Sequence, residues 1–195
     1  MVASILLALA FDDWNENRGY AELADQSLAI FEQEILQNIA RVEDGHAYHQ
    51  GIRNLLGQMQ AQADPGSDVR GIMEGLEAPV LLSTAWQTAL ATGVLTHMDF
   101  EVVSALSLTY SIQQGFMERV RSDRPRMVDA EGLGASAALE QVRAASEYVT
   151  MFTTDESELL TVFGEALRVI RSHRGQDDPA TLSPTSRDAS ESTGG

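Results

Sequence analysis

Apolar positions along this chain fall at helical spacing, and no stretch shows the sustained alternation of apolar and polar residues that marks a strand. From Val2 to Phe11 every residue is apolar or small, and Asp12 and Asp13 end the run. A heptad pattern follows Trp14. With Leu28 at position a, the a and d sites are Ala21, Ala24, Leu28, Phe31, Ile35, Asn38, Val42, Gly45, His49, Ile52, Leu56 and Met59, nine of the twelve apolar. That predicts one helix of roughly 40 residues or more, well beyond the usual globular length. The lapses at Asn38, Gly45 and His49 cluster in its middle and predict a bend or a polar layer, since glycine weakens a helix by up to ~1 kcal/mol relative to alanine. A dimeric coiled coil is one use of such a stripe. Packing against the chain's own later helices is the preferred one, because those helices are present.

The turn chemistry of Asp64-Pro65-Gly66 places a loop over Ala61–Ser67. A short helix is expected over Val69–Leu76, stopped near Pro79. Ser83 or Thr84 can cap the next, which reaches about Ala91 and ends at Gly93. Thr96 reads as the cap of a further helix with Asp99 in its first turn. From Met98 to about Arg121, Val103, Leu106, Tyr110, Met117 and Val120 keep one face, widened by Val102 and Phe116. Ser122–Arg126 breaks the pattern at Pro125. A helix over Leu133–Phe152 buries Ala138, Val142, Ala145, Val149 and Phe152. Thr153-Thr-Asp-Glu156 then offers a capping box for a last helix, from Asp155 to about Arg171, with Leu160, Phe163, Leu167 and Ile170 inside. After Arg174 almost nothing remains to bury, and a disordered tail is expected over 175–195. The fold class is all-α: a long N-terminal helix with three or four shorter helices packed as a bundle over 14–174, preceded by an apolar stub over 1–13. No internal repeat is visible.

Ten helical residues reach roughly 15 Å, half of the ~30 Å of a bilayer's hydrocarbon core. Trp14 falls where an interfacial aromatic would sit. Three readings compete for the stub. A signal peptide lacks its basic n-region, although Ala8-Leu9-Ala10 resembles a cleavage site. A buried core helix suits any globular domain. The third reading is the distal half of a membrane anchor. The order of an apolar helix, then Asp12-Asp-Trp-Asn-Glu-Asn-Arg18, then a long charged helix resembles a family of uncharacterised bacterial single-pass membrane proteins with a Trp-Asn-Glu-x-Arg boundary after the membrane helix. Trp86–Asp99, followed by Leu106 and Tyr110, is similar to that family's second recurrent block. Together the two blocks cover about half of the chain. The resemblance implies an inner-membrane anchor, Trp14 and Arg18 at the membrane interface, a helical domain facing the periplasm and no known activity. The chain departs from the family by starting at Met1, in what would be mid-membrane; a mis-assigned start codon or a truncated chain would account for that.

Charge narrows the classes further. The net charge is −16, from 29 acids against 13 bases, and all the bases are arginine. Nucleic-acid binding needs a positive footprint, so nucleic acid is a poor partner. The absence of lysine reads as a coding bias. The absence of cysteine excludes disulfides, thiolate catalysis and sulfur-built zinc sites.

The most suggestive constellation is Glu43-Asp44-Gly45-His46 with His49. Glu43 and His46 stand at the i, i+3 spacing used by di-iron bundles, and so do His46 and His49. The second Glu-x-x-His of a di-iron site is absent, because Val94 and Ile170 stand three residues before His97 and His173. A lone zinc or transition-metal site from His46, His49 and a distant carboxylate, with Glu43 as a further candidate ligand, is the sharp reading; a polar layer within the long helix is the plain one. Trp86, His97 and Tyr110 are candidates for a pocket between helices, against roles in core packing and capping. Arg119, Arg121, Arg124 and Arg126 concentrate positive charge, suited to a helix C-terminus or to an anion. Gly132-Leu-Gly134 lacks the rest of a phosphate loop, and no serine sits in a nucleophile elbow. No cofactor is expected. The leading expectation is a non-enzymatic, membrane-tethered interaction domain, with the membrane, another protein or a second copy as partner. A small-molecule-sensing bundle is the alternative and a metal-dependent enzyme the third.

Overall fold

The computed structural model describes residues 2–62, 69–125 and 134–175, with side chains of the first helix described from Arg18 onward. Helix α1 runs unbroken over Val2–Gln62, 61 residues. The chain has no proline before Pro65, so nothing in it removes a helical hydrogen bond. The heptad register is the buried one: ten of its twelve positions lie inside, Ala21 and Gly45 being the exceptions. The middle of the stripe is a polar layer, with Asn38 and His49 both buried. Gly45 belongs to it, because a Cβ there would lie 3.0 Å from the His49 ring.

The expectation of a transmembrane helix and of a single-pass inner-membrane location is overturned. No helix among the described residues is long and apolar enough to cross a membrane. In α1 the ten apolar residues give way to Asp12, Asp13 and Glu16 within the same helix, well short of the ~20 that a span requires. Arg18 is exposed and faces Glu22 at 3.2 Å; the Trp14 side chain lies outside the described residues.

Helix α2 covers Val69–Glu74 and α3 covers Thr84–Thr92. Gly93 closes α3 in the left-handed region, φ 71°, a conformation that costs glycine nothing. A 3-10 turn follows at Val94–His97. Helix α4 spans Phe100–Ser122, and its cap is Asp99, which accepts from the Glu101 N–H. Thr96, the expected cap, instead bonds back to the Gly93 carbonyl.

Helix α5 is continuous over Ala135–His173, 39 residues, where two helices were expected. The Thr153-x-x-Glu156 box does not form. The Thr153 hydroxyl donates to the carbonyls of Val149 and Thr150 one turn back, and Glu156 is fully buried. The buried stripe therefore passes through both residues, from Val149 and Phe152 to Leu159 and Phe163.

Helix α5 lies between α1 and α4 and packs on both; α3 and the 3-10 turn lie on α1, and α2 touches α5. Phe31, Phe116, Phe152, Phe163, Leu106 and Leu159 are wholly buried at these seams, each contributing about 1.5–3 kcal/mol of transfer free energy. No strand occurs among the described residues. The expected loop at Ala61–Ser67, Gly132-Leu-Gly134 and the tail lie, in whole or in their greater part, outside them.

Candidate functional site

Three polar residues interrupt the inward face of α1 and reach three different partners. Glu34 comes first. Its Oε2 accepts from the Ala85 N–H at 2.9 Å, and its Oε1 from the Tyr110 hydroxyl at 2.7 Å. Ser83 precedes α3 but makes no side-chain cap. The carboxylate of Glu34 supplies the missing acceptor and a negative charge at the positive end of the helix. Burial, then the hydrogen bond to Glu34 and then its charge hold the Tyr110 hydroxyl far above the ordinary 10.0.

Burial likewise raises Tyr148. A tyrosine whose folded pKa is raised contributes stability that is intact below its unfolded pKa and declines above it, because only the unfolded chain then releases the proton. The free energy of unfolding should therefore fall above pH 10, by up to ~1.4 kcal/mol per pH unit for Tyr110. Tyr110→Phe should flatten that slope in urea titrations across the alkaline range.

Asn38 comes next. It donates to the Leu82 carbonyl and accepts from the Leu82 N–H, both at 2.8 Å. Gln113 of α4 donates to the same carbonyl at 2.8 Å and accepts from Asn38 at 3.2 Å. Arg41 donates to the Val80 carbonyl at 2.6 Å. The irregular connector from Leu76 to Ser83 has no ladder to satisfy its backbone, and these side chains do it instead. The connector, and with it the start of α3, is pinned to α1 and α4.

Pinning α3 opens a cleft of about 600 Å³ between α3 and α4. Trp86 and Tyr110 line it, stacked with centroids 5.4 Å apart and planes 13° from parallel. Gln87, Gln113, Gln114 and Arg121 add polar groups, with Ser107 and Ser111 between them. Of the three residues expected to share a pocket, two do. His97 is exposed and stacks instead on Tyr20, centroids 3.9 Å apart.

His49 reaches the third partner. His46 Nδ1 lies 2.9 Å from one oxygen of Glu156, and His49 Nδ1 lies 2.8 Å from the other. Gln50 Nε2 lies 2.6 Å from His46 Nε2. Those contacts fit a neutral His46 with its proton on Nδ1, donating to the carboxylate and accepting from the amide. Phe152 packs edge-on against the His49 ring at 4.9 Å. Glu43 is exposed, and the hydrogen bonds of the two histidines go to Glu156 and Gln50 instead. Among the described residues no group of three or more histidines, cysteines or carboxylates is placed to hold a metal ion. The two Nδ1 atoms are committed to carboxylate oxygens, so the arrangement works as a buried tie between α1 and α5.

The arginine cluster is divided. Arg119 pairs with Asp155 at 2.8 Å, and Arg124 donates to the Met73 carbonyl. Arg121 faces the cleft; Arg126 lies outside the described residues. Sequence reasoning missed Glu34, Gln113 and Glu156. The signal available for Glu156 was its place on the apolar stripe, four residues after Phe152 and three before Leu159. No protein-family model, curated protein or solved structure matches this chain, so its function rests on its own residues.

Proposed function

We propose that the protein is a non-enzymatic helical bundle that binds a small planar ligand in the cleft between α3 and α4. The observation that carries this reading is the lining. An aromatic pair, three glutamines, serines and one arginine converge on a single concavity, the mix of apolar platform and few placed polar groups that small-molecule sites use. Its walls are preorganised. Glu34 fixes both Tyr110 and the start of α3, and Asn38 with Gln113 fixes the connector between them, so little ordering is left to oppose binding. The heptad stripe of α1, for which a dimeric coiled coil was the alternative use, is buried within the chain at ten of its twelve positions. The histidine–glutamate centre has a carboxylate and an amide as partners, which favours a structural role over catalysis.

The chain has two tryptophans, so Trp14→Phe leaves Trp86 as the only indole. Titration of that variant with small aromatic acids and amides should give a saturable change in its fluorescence. A Trp86 signal that no compound alters up to its solubility limit would remove the proposal.

A further inference from the structure

We infer that the ligand of this cleft is an organic anion, its negative group held by Arg121 and its planar body lying along Trp86. The inference rests on the cleft being the binding site and adds the chemical class. Its first support is what the lining omits. The chain carries 29 acidic residues among 195, yet none of the twelve described residues lining the cleft is acidic. Serine hydroxyls, glutamine amides and one guanidinium are left. All can donate hydrogen bonds, and the only formal charge among the described lining residues is positive.

The second support is the state of Arg121. Seven described arginines face a carboxylate within 4.0 Å. Arg41 and Arg124 are held by backbone carbonyls. Arg121 and Arg53 have neither kind of partner among the described residues, and of the two only Arg121 is among the residues that line the cleft. The nearest acid on its own helix face, Glu118, is engaged by Gln114 at 2.9 Å. A guanidinium left open in a protein of net charge −16, on the wall of a cleft whose described lining holds no acid, presents its planar fork of donors to whatever enters. Arg121 also lines a second cleft of about 510 Å³ beside Tyr148 and Phe152, with Arg124 and one acid, Glu77. The two clefts share that arginine, so an anionic group on it sits where they adjoin.

The third support is the aromatic end. Trp86 is half-buried, with Tyr110 stacked against it, and it lines the cleft together with Leu90 and Met117. A flat conjugated body fits such a wall, since offset-stacked rings are favourable beyond their buried area. An aromatic carboxylate or sulfonate satisfies both ends.

Calorimetric titration of the full chain with 2-naphthoate and with 2-naphthamide tests this. The two share a ring system and differ in charge. The carboxylate should bind roughly tenfold more tightly, the scale of one partly solvated charge-assisted hydrogen-bonded pair, and added salt should narrow the gap. Arg121→Gln should abolish the preference, bringing the acid's affinity down to that of the amide. Arg121 is exposed and unpaired, so the variant should melt with the parent. Equal affinities for acid and amide, insensitive to Arg121→Gln, would overturn the anion assignment while leaving the cleft as the binding site. Failure of both compounds to bind would overturn the two together.

Discussion

Replacing Glu156 with leucine should cost about 3–5 kcal/mol of stability. The carboxylate is fully buried and accepts from His46 and His49. Leucine is close to it in volume, so little of the loss comes from a cavity. The loss comes from two imidazole N–H groups left without an acceptor in the α1–α5 seam, each costing about 1–3 kcal/mol. Removing the partners as well should recover most of it. Glu156→Leu with His46→Leu and His49→Leu turns the tie into an apolar layer, and such replacements of buried charged clusters are often neutral. Urea unfolding followed by circular dichroism measures both variants against the parent. A Glu156→Leu loss below about 1 kcal/mol, or a triple variant no better than the single one, would show that the three side chains do not act as a unit.

The second large effect belongs to Glu34. Glu34→Ala should cost about 2–4 kcal/mol, since it orphans the Tyr110 hydroxyl and the Ala85 N–H together. The consequence should also be local. Without its acceptor the start of α3 frays, and Trp86, two residues into that helix, should gain solvent and shift its fluorescence to the red. Glu34→Gln keeps one carbonyl acceptor and should lose roughly half as much. If alanine destabilises the protein while Trp86 keeps its emission maximum, Glu34 supports the fold without shaping the cleft.

Much of the architecture is legible in the sequence because it follows from spacing. The heptads of α1 name every described buried residue of that helix but Glu34, and Gly93 marks the end of α3 by its left-handed conformation. The errors arise where a polar residue is buried. Thr153 and Glu156 imitate a helix start, since a capping box and a buried polar pair use the same residue types. Only the partners distinguish them, and the partners of Glu156 lie more than a hundred positions away on α1. Gln113 and Thr109 hide the centre of the α4 face for the same reason: the stripe there runs through Val102, Leu106, Thr109, Gln113 and Phe116. The membrane expectation failed on local grounds. An apolar run followed by tryptophan reads as a boundary, but α1 continues through Asp12 and Asp13 as one helix that carries too few apolar residues to span.

The candidate site divides in the same way. His46 and His49 stand out by spacing on one helix, and Trp86 and Tyr110 by size, so four of the site residues are visible without a structure. Their meaning is not, because it depends on acceptors from other elements. His97 shows the converse: its position between Thr96 and Asp99 suggests a site, and the fold turns it away from Tyr110 toward Tyr20.

The cleft between α3 and α4 is the central claim, and amide chemical-shift mapping tests it most directly. On addition of 2-naphthoate to the nitrogen-labelled chain, shifts should concentrate at Gln87, Leu90, Ser107, Ser111, Gln114 and Arg121, with small changes around His46, His49 and Glu156. Shifts centred on the α1–α5 seam, or spread evenly over the surface with no focus on α3 and α4, would contradict the account.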